Sequence, residues 1–399
     1  MKFNKWTVGL AAIGVVSLAS AARADEKMSQ LQTALSNTTI SGYVDTAASW
    51  RPGTDSNSHT TFANIPTYSF AKDDGFSLNA VDIAIDHPED ESPWAAGYHV
   101  ELMAGADSVP VGNLGLIPHA GGTIAGFGPE TLRQAYLSLR TPVGNSGIDW
   151  KVGEWDTIIG YESSSDPSNP NYTRSYGYSI EPTTHTGILG TYKVNDEISV
   201  QAGVADAANA DTGLGGINTS SGFETQKAYM AAVALTAPST WGWLNGATLN
   251  GGIIDAEAST ATPHGQTSLY AGATIPTPLS ALKAGASFDY LDLHDGAGEA
   301  YVLGLYGSYQ INNNASFNLR GEYGNDDSGS LGYNTAAVPR NEFEELTATL
   351  QYNLWANVLS RLEVRWDHTA HGDFYGANGL GAPMKNNDFL VALNLIYQF

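Results

Sequence analysis

From Thr39 to the last residue the sequence keeps a period of two. In 98–105, Tyr98, Val100, Leu102 and Ala104 alternate with His99, Glu101, Met103 and Gly105. In 315–323, Ala315, Phe317, Leu319, Gly321 and Tyr323 alternate with Ser316, Asn318, Arg320 and Glu322. Side chains two apart share one face of a strand, so such alternation describes strands with one apolar and one polar face. Sixteen segments qualify: 39–50, 76–86, 96–106, 130–141, 147–157, 183–193, 196–206, 226–236, 246–256, 266–275, 281–291, 299–311, 314–324, 342–354, 357–368 and 387–399. Past residue 24 no run of 18 apolar residues occurs, so this part of the chain has no helix able to span a bilayer.

The connectors alternate in length. Those at 51–75, 107–129, 158–182, 207–225, 325–341 and 369–386 are long, 257–265 and 292–298 are modest, and Val194-Asn195, Asn312-Asn313 and Pro276–Ser280 are tight. Strands of about ten residues joined by alternating long loops and short turns describe an all-β, transmembrane antiparallel barrel of about sixteen strands, with short periplasmic turns and long extracellular loops. Aromatics near strand ends (Trp50, Trp150, Tyr192, Tyr290, Tyr301, Tyr309, Tyr352 and Trp366) fit interfacial girdles facing lipid. The final segment places Phe389, Val391, Leu393, Leu395, Tyr397 and Phe399 at alternate positions. It resembles the C-terminal signature by which bacterial outer-membrane barrels are handed to their assembly machinery, with Phe399 as the terminal aromatic.

The first 24 residues read as a secretory signal. Lys2 and Lys5 precede an apolar run from Trp6 to Ala19, and Ala22-Arg23-Ala24 offers a small-x-small cleavage site. Residues 25–38 form a periplasmic lead, and 39–399 form the barrel. The formal charge is −23; removal of Lys2, Lys5 and Arg23, with no acid, takes it to −26. That acidity excludes a binder of nucleic acid acting through bulk positive charge. Absence of cysteine excludes a disulfide scaffold, a thiolate zinc site and a lipidated cysteine.

Lys151-Val152-Gly153-Glu154-Trp155 through Gly160-Tyr161-Glu162, Asn171-Tyr172-Thr173-Arg174-Ser175-Tyr176 and Pro182-Thr183-Thr184-His185-Thr186-Gly187 resemble the OmpL-like group of outer-membrane β-barrel porins. Ser41-Gly42-Tyr43-Val44-Asp45 and Phe76-Ser77-Leu78-Asn79 match its opening strands. The likeness covers most of 39–206 and the final strand. Strands eight to fifteen resemble the group only in rhythm, and Glu154 stands where the group carries a basic residue. The resemblance implies a barrel and a channel, and no particular solute.

A sixteen-strand barrel is wide enough for an aqueous channel, which needs a polar lining and a constriction. Out of phase with the apolar stripe, and so expected in the lumen, are Arg140, Lys151, Lys193, Lys283, Arg320, Arg361 and Arg365, with Asp45, Asp82, Glu101, Asp149, Asp289, Glu322, Glu345 and Glu363. These charges nearly balance. The loop 158–182, carrying Glu162, Asp166, Tyr172, Arg174 and Tyr176, is expected to fold inward as a constriction. Arg361-x-Glu363-x-Arg365 and Arg320-x-Glu322 form a lumen ladder whose arginines face this loop and polarise passing solutes, or else neutralise one another in the wall. An enzyme is the competing class, with His99 and His185 as the candidate bases; no G-x-S-x-G or H-E-x-x-H occurs. A surface scaffold or adhesin with a closed bore is the third. No cofactor is expected, and Asp73-Asp74 and Asp326-Asp327 read as solvated acids before they read as Ca²⁺ ligands. The expected partners are outer-membrane lipid and small solutes, with a homotrimer by analogy to sixteen-strand porins.

Overall fold

A computed structural model describes residues 37–53, 72, 74–107, 132–144, 146–208, 227–258, 264–331, 333, 340–375 and 385–399. The signal segment, most of the N-terminal lead and Asp73 lie outside these residues.

The period-two segments form sixteen strands: β1 (Thr39–Trp50), β2 (Gly75–His87), β3 (Ala96–Ala104), β4 (Leu132–Thr141), β5 (Ile148–Asp156), β6 (Thr184–Lys193), β7 (Ile198–Ala205), β8 (Ala228–Thr236), β9 (Thr248–Ala256), β10 (Gln266–Pro276), β11 (Leu282–Leu293), β12 (Gly298–Gln310), β13 (Ala315–Asp326), β14 (Asn341–Trp355), β15 (Val358–Thr369) and β16 (Asn387–Gln398). Each pairs antiparallel with its sequence neighbours, and β1 pairs with β16 to close the barrel. Closure leaves no edge, so the backbone is satisfied without water, the condition for spanning lipid with strands. The seam is clamped at the C-terminus, where Gly42 N–H donates to Phe399 O (3.1 Å) and Phe399 N–H to Gly42 O (3.0 Å).

The expected phase of each strand sets its facing. On β16, Phe389, Leu393, Leu395 and Tyr397 are exposed outward, while Asp388, Leu390, Ala392, Asn394 and Ile396 are buried inside. The aromatic residues stand at two levels on the outer face. Trp50, Tyr290, Tyr301 and Trp366 sit at the long-connector ends of their strands, and Trp150, Tyr192, Tyr309 and Tyr352 at the short-turn ends. Register carries the phase around the wall: Tyr290 pairs with Tyr301 and Trp366 with Phe389. Within β5 the left-handed φ of Gly153 (+135°) lets the strand pass 2.8 Å from Tyr136 Cα, measured from where a Cβ would stand.

The connectors depart from the expected rhythm at two places. On the long side, β11 and β12 are joined by the four-residue turn 294–297, where Asp295 and Gly296 take positive φ. On the short side, 237–247 is an eleven-residue connector holding a 3₁₀ turn, Ser239–Leu244, with Trp241 and Trp243 exposed. Asp326 closes its own loop by accepting from the N–H groups of Gly329, Leu331 and Tyr333, which accounts for one acid of the pair Asp326-Asp327.

Candidate functional site

Connector 157–183, between β5 and β6, turns into the barrel. A loop placed there must satisfy its backbone groups away from bulk water, so the wall has to supply partners. It does so mainly from β13 and β15. Glu363 accepts from Tyr172 N–H (2.6 Å) and Thr173 N–H (2.9 Å), and from the Thr349 hydroxyl. Arg320 donates to Thr173 O (2.7 Å) and Arg174 O (3.2 Å), and pairs with Glu162 of the loop (2.8 Å). Arg365 donates to Arg174 O (2.6 Å), and Arg361 donates to the carbonyls of Asp166 and Asn169. Guanidinium suits this work, since one planar fork reaches several oxygens at once.

Two short elements shape the loop. A 3₁₀ turn, Asp166–Ser168, begins with Pro167 near its first position, and Asp166 N–H donates to the Tyr43 hydroxyl of β1. A five-residue helix, α1 (Tyr176–Ile180), is capped by Ser175, whose hydroxyl accepts from Tyr178 N–H (3.0 Å). Its first N–H groups, on Tyr176 and Gly177, are taken up by Glu322 of β13 (2.8 and 3.1 Å). The wall thus supplies the carboxylate that a helix start favours. The Tyr176 hydroxyl donates to Asp367 (2.7 Å) and lies 2.6 Å from that of Tyr333, which lies 2.7 Å from that of Tyr375. These tyrosines join the inner loop to connectors 327–340 and 370–386.

Next to the ladder strands, on β10 and β12, the loop is held by rings and hydroxyls. Tyr161 stacks on Tyr306 of β12 with centroids 4.0 Å apart, and its hydroxyl meets that of Thr274 on β10 (3.1 Å). Ile159 packs with Trp155, Leu189, Met230 and Ile254. On all sixteen strands at least one inward side chain in the half nearer the long connectors is buried.

The residues singled out by sequence fall into two groups. Arg320, Glu322, Arg361, Glu363 and Arg365, with Glu345, point inward and are buried beneath the inner loop, bonded to it or to one another. Glu162, Asp166, Tyr172, Arg174 and Tyr176 are the loop's side of that contact, with Arg174 on Asp166 at 2.7 Å. Asp45 and Glu101 are also buried. Asp45 accepts from the amides of Asn79 and Asn394, and Glu101 pairs with Arg133 (2.6 Å). Nearer the short turns the inward charges are sparse and wetter. Arg140 pairs with Asp149 (2.7 Å), Lys193 with Asp196 (2.8 Å), Lys151 lies over the Tyr136 ring at 4.5 Å, and Lys283 is exposed.

Of the candidate bases, His99 stands between Asp86 and Glu101, and His185 is fully buried beside Trp155. Four contributors escaped the sequence reading. Asp367 continues the ladder one step past Arg365 and shows the same i, i+2 signal. Arg133 sits at the β3–β4 irregularity, where the alternation breaks. Tyr333 and Tyr375 are in connectors, where no periodicity marks them.

No curated protein matches the sequence. Solved structures share the fold at low identity. OmpF of Salmonella typhi, in complex with daunomycin, is 11% identical, with 91% of this chain and 97% of that chain covered and a TM-score of 0.58. The outer-membrane channel DcaP of Acinetobacter baumannii is 12% identical, with 91% and 97% covered and a TM-score of 0.54. An anion-selective porin from Comamonas acidovorans is 12% identical, with 91% and 99% covered and a TM-score of 0.53. Residues 37–399 match the family model described as "Putative beta-barrel porin-2, OmpL-like". With its closed barrel and inner loop, the chain belongs to this family of OmpL-like porins of the bacterial outer membrane.

Proposed function

We propose that this porin is a narrow passive channel for small hydrophilic solutes or ions, constricted by the inner loop 157–183. The observation that carries the reading is the way the loop is fastened. Its backbone is bonded to inward side chains of β13 and β15, so a fixed loop stands across the bore at the level of the charged ladder. In this reading the buried arginines set the loop's position. Solutes then meet the loop's free face, the lumen side chains left uncovered, and the wetter periplasmic half with Lys151 and Lys283.

The chain is exported by its first 24 residues and delivered to the outer membrane by an assembly machinery that recognises the strand ending at Phe399. It works without catalysis, as a homotrimer. A closed-bore scaffold is the second reading, favoured by the burial of inward side chains on every strand in the extracellular half. Purified protein added to a planar lipid bilayer separates the two. Stable conductance steps in potassium chloride support the channel. Absence of steps from folded, heat-modifiable protein overturns it in favour of the scaffold.

A further inference from the structure

Where the inner loop meets β11 and β12, carboxylates outnumber the cations that could balance them. Arg320 and Arg365 serve Glu162, Glu322, Glu345 and Asp367, which lie within 4 Å of one or the other. Next to this network stand Asp289 of β11 and Glu181 of the loop, and among the described residues neither has a cationic partner within 4 Å. Asp289 is 2% exposed, and among the described residues neither of its oxygens accepts a well-formed hydrogen bond; the polar groups that face it are the Glu181 carboxyl and the Ser287 hydroxyl. Two hydroxyls stand beside it, Ser287 (2% exposed), which faces Asp289, and Tyr306 (8%), whose hydroxyl is buried with no hydrogen-bond partner among the described residues. Burying an ionised carboxylate with no counter-charge is among the costlier things a fold can do.

Two glycines let these oxygens pack close against the backbone. A Cβ on Gly177 of α1 would stand 2.5 Å from Asp289 Oδ2. A Cβ on Gly304 of β12 would stand 2.7 Å from Ser287 Oγ and 3.1 Å from the Tyr306 hydroxyl. Glu181 is half-buried, so water reaches its side of the cluster. Burial and the Asp289 carboxyl hold Glu181 well above the usual carboxylate range. The pair therefore gains from either a shared proton or a bound cation.

We propose that Asp289, Glu181, Ser287 and Tyr306 form a binding site for a partly hydrated divalent cation of the alkaline-earth class, seated between the inner loop and β11–β12. Oxygen ligands of this kind suit hard cations. Two carboxylates balance a divalent charge, and the hydroxyls and retained water complete the shell. The cation ties the loop to β11 and β12, beside the strand that carries Arg320. The site needs only the folded barrel, so it stands or falls independently of conduction.

The test is titration of Ca²⁺ into refolded, chelator-stripped protein in detergent, followed calorimetrically at pH 7.5. The expected result is one site with a dissociation constant on the order of 10⁻⁴–10⁻³ M, the range of open extracellular sites. Asp289→Asn and Glu181→Gln should each weaken binding about tenfold or more, while both variants keep the heat-modifiable mobility of a folded barrel. Glu181→Gln is the safer variant, because Glu181 lies on the loop rather than on a strand. Two results would overturn the site: no Ca²⁺-specific heat in the folded wild type, or binding that survives both substitutions. The first would leave the pair holding a shared proton.

Discussion

The extracellular and periplasmic halves of the lumen are built from the same sixteen strands but handle charge in opposite ways. In the extracellular half, Arg320, Arg361, Arg365, Glu322 and Glu363 are buried against the inner loop and spend their hydrogen bonds on its backbone. In the periplasmic half, Lys283 is exposed and Arg140 pairs with Asp149 beside water. Desolvation makes the difference, because a buried charge must be matched by specific partners whereas a wet one need not be. The extracellular charges therefore work as architecture, fixing a loop, and only the unmatched ones remain for solutes or ions.

The largest break in this comparison is to remove the loop itself. Replacing 163–180 with a short Gly/Ser link should leave the wall intact, because all sixteen strand pairings lie outside it. Single-channel conductance should rise severalfold, and an unchanged conductance would show that the loop does not set the bore. The next break is the double substitution Arg361→Gln with Arg365→Gln. It strips donors from the carbonyls of Asp166, Asn169 and Arg174 and leaves Asp367 without its cation. Removing one partner of a buried pair costs roughly 3–5 kcal/mol, so the midpoint of urea unfolding should fall clearly. The channel should grow noisier as the loop loosens. A changed reversal potential with an unchanged midpoint would restore these arginines to the role of polarising passing solutes.

A smaller effect sits at the root of connector 105–131. Asp107 pairs with Lys72 at 2.6 Å, yet burial pushes its carboxyl up to about 6; Asp166 adds to the rise, while Lys72 and Arg174 oppose it. Because the folded state raises this pKa, the protonated acid is favoured there, and the associated stability is lost as pH rises through about 6. Amide exchange at Ala106 and Asp107, whose N–H groups bond to Leu78 O and Asn79 O, should be slower at pH 5 than at pH 8 after correction for intrinsic rates. The reverse order would mean that the ion pair with Lys72 outweighs burial.

Much of this contrast was legible beforehand, and for a physical reason. The bilayer enforces alternation along every strand, so all sixteen strands, their facing and the ladder on β13 and β15 could be read from period two alone. The limit came where that constraint ends. Periodicity says that Arg361 and Arg365 point inward; it cannot say whether they meet water or a loop 190 residues away in sequence, because that depends on where a connector without periodicity lies. The same limit hid Tyr333 and Tyr375. Asp367 is the exception, since it continues the i, i+2 pattern and was there to be found. Arg133 sits beside an irregularity in pairing, where the phase of the strand slips and alternation misleads.

The smallest prediction is the sharpest test of the comparison, because it concerns the wet half alone. Lys283 faces the lumen near the foot of β11, is exposed, and pairs in register with Pro276 and Ser308, neither of them charged. With no buried partner to lose, Lys283→Glu should change stability by no more than about 0.5 kcal/mol. It should move the reversal potential toward cations by a small amount that disappears at high salt, since the Debye length falls to about 3 Å at 1 M. If the shift survives 1 M salt, the charge lies at a constriction where ions cannot be screened from it. The narrowest part of the path would then be in the periplasmic half, and the inner loop would be a plug beside the conducting route.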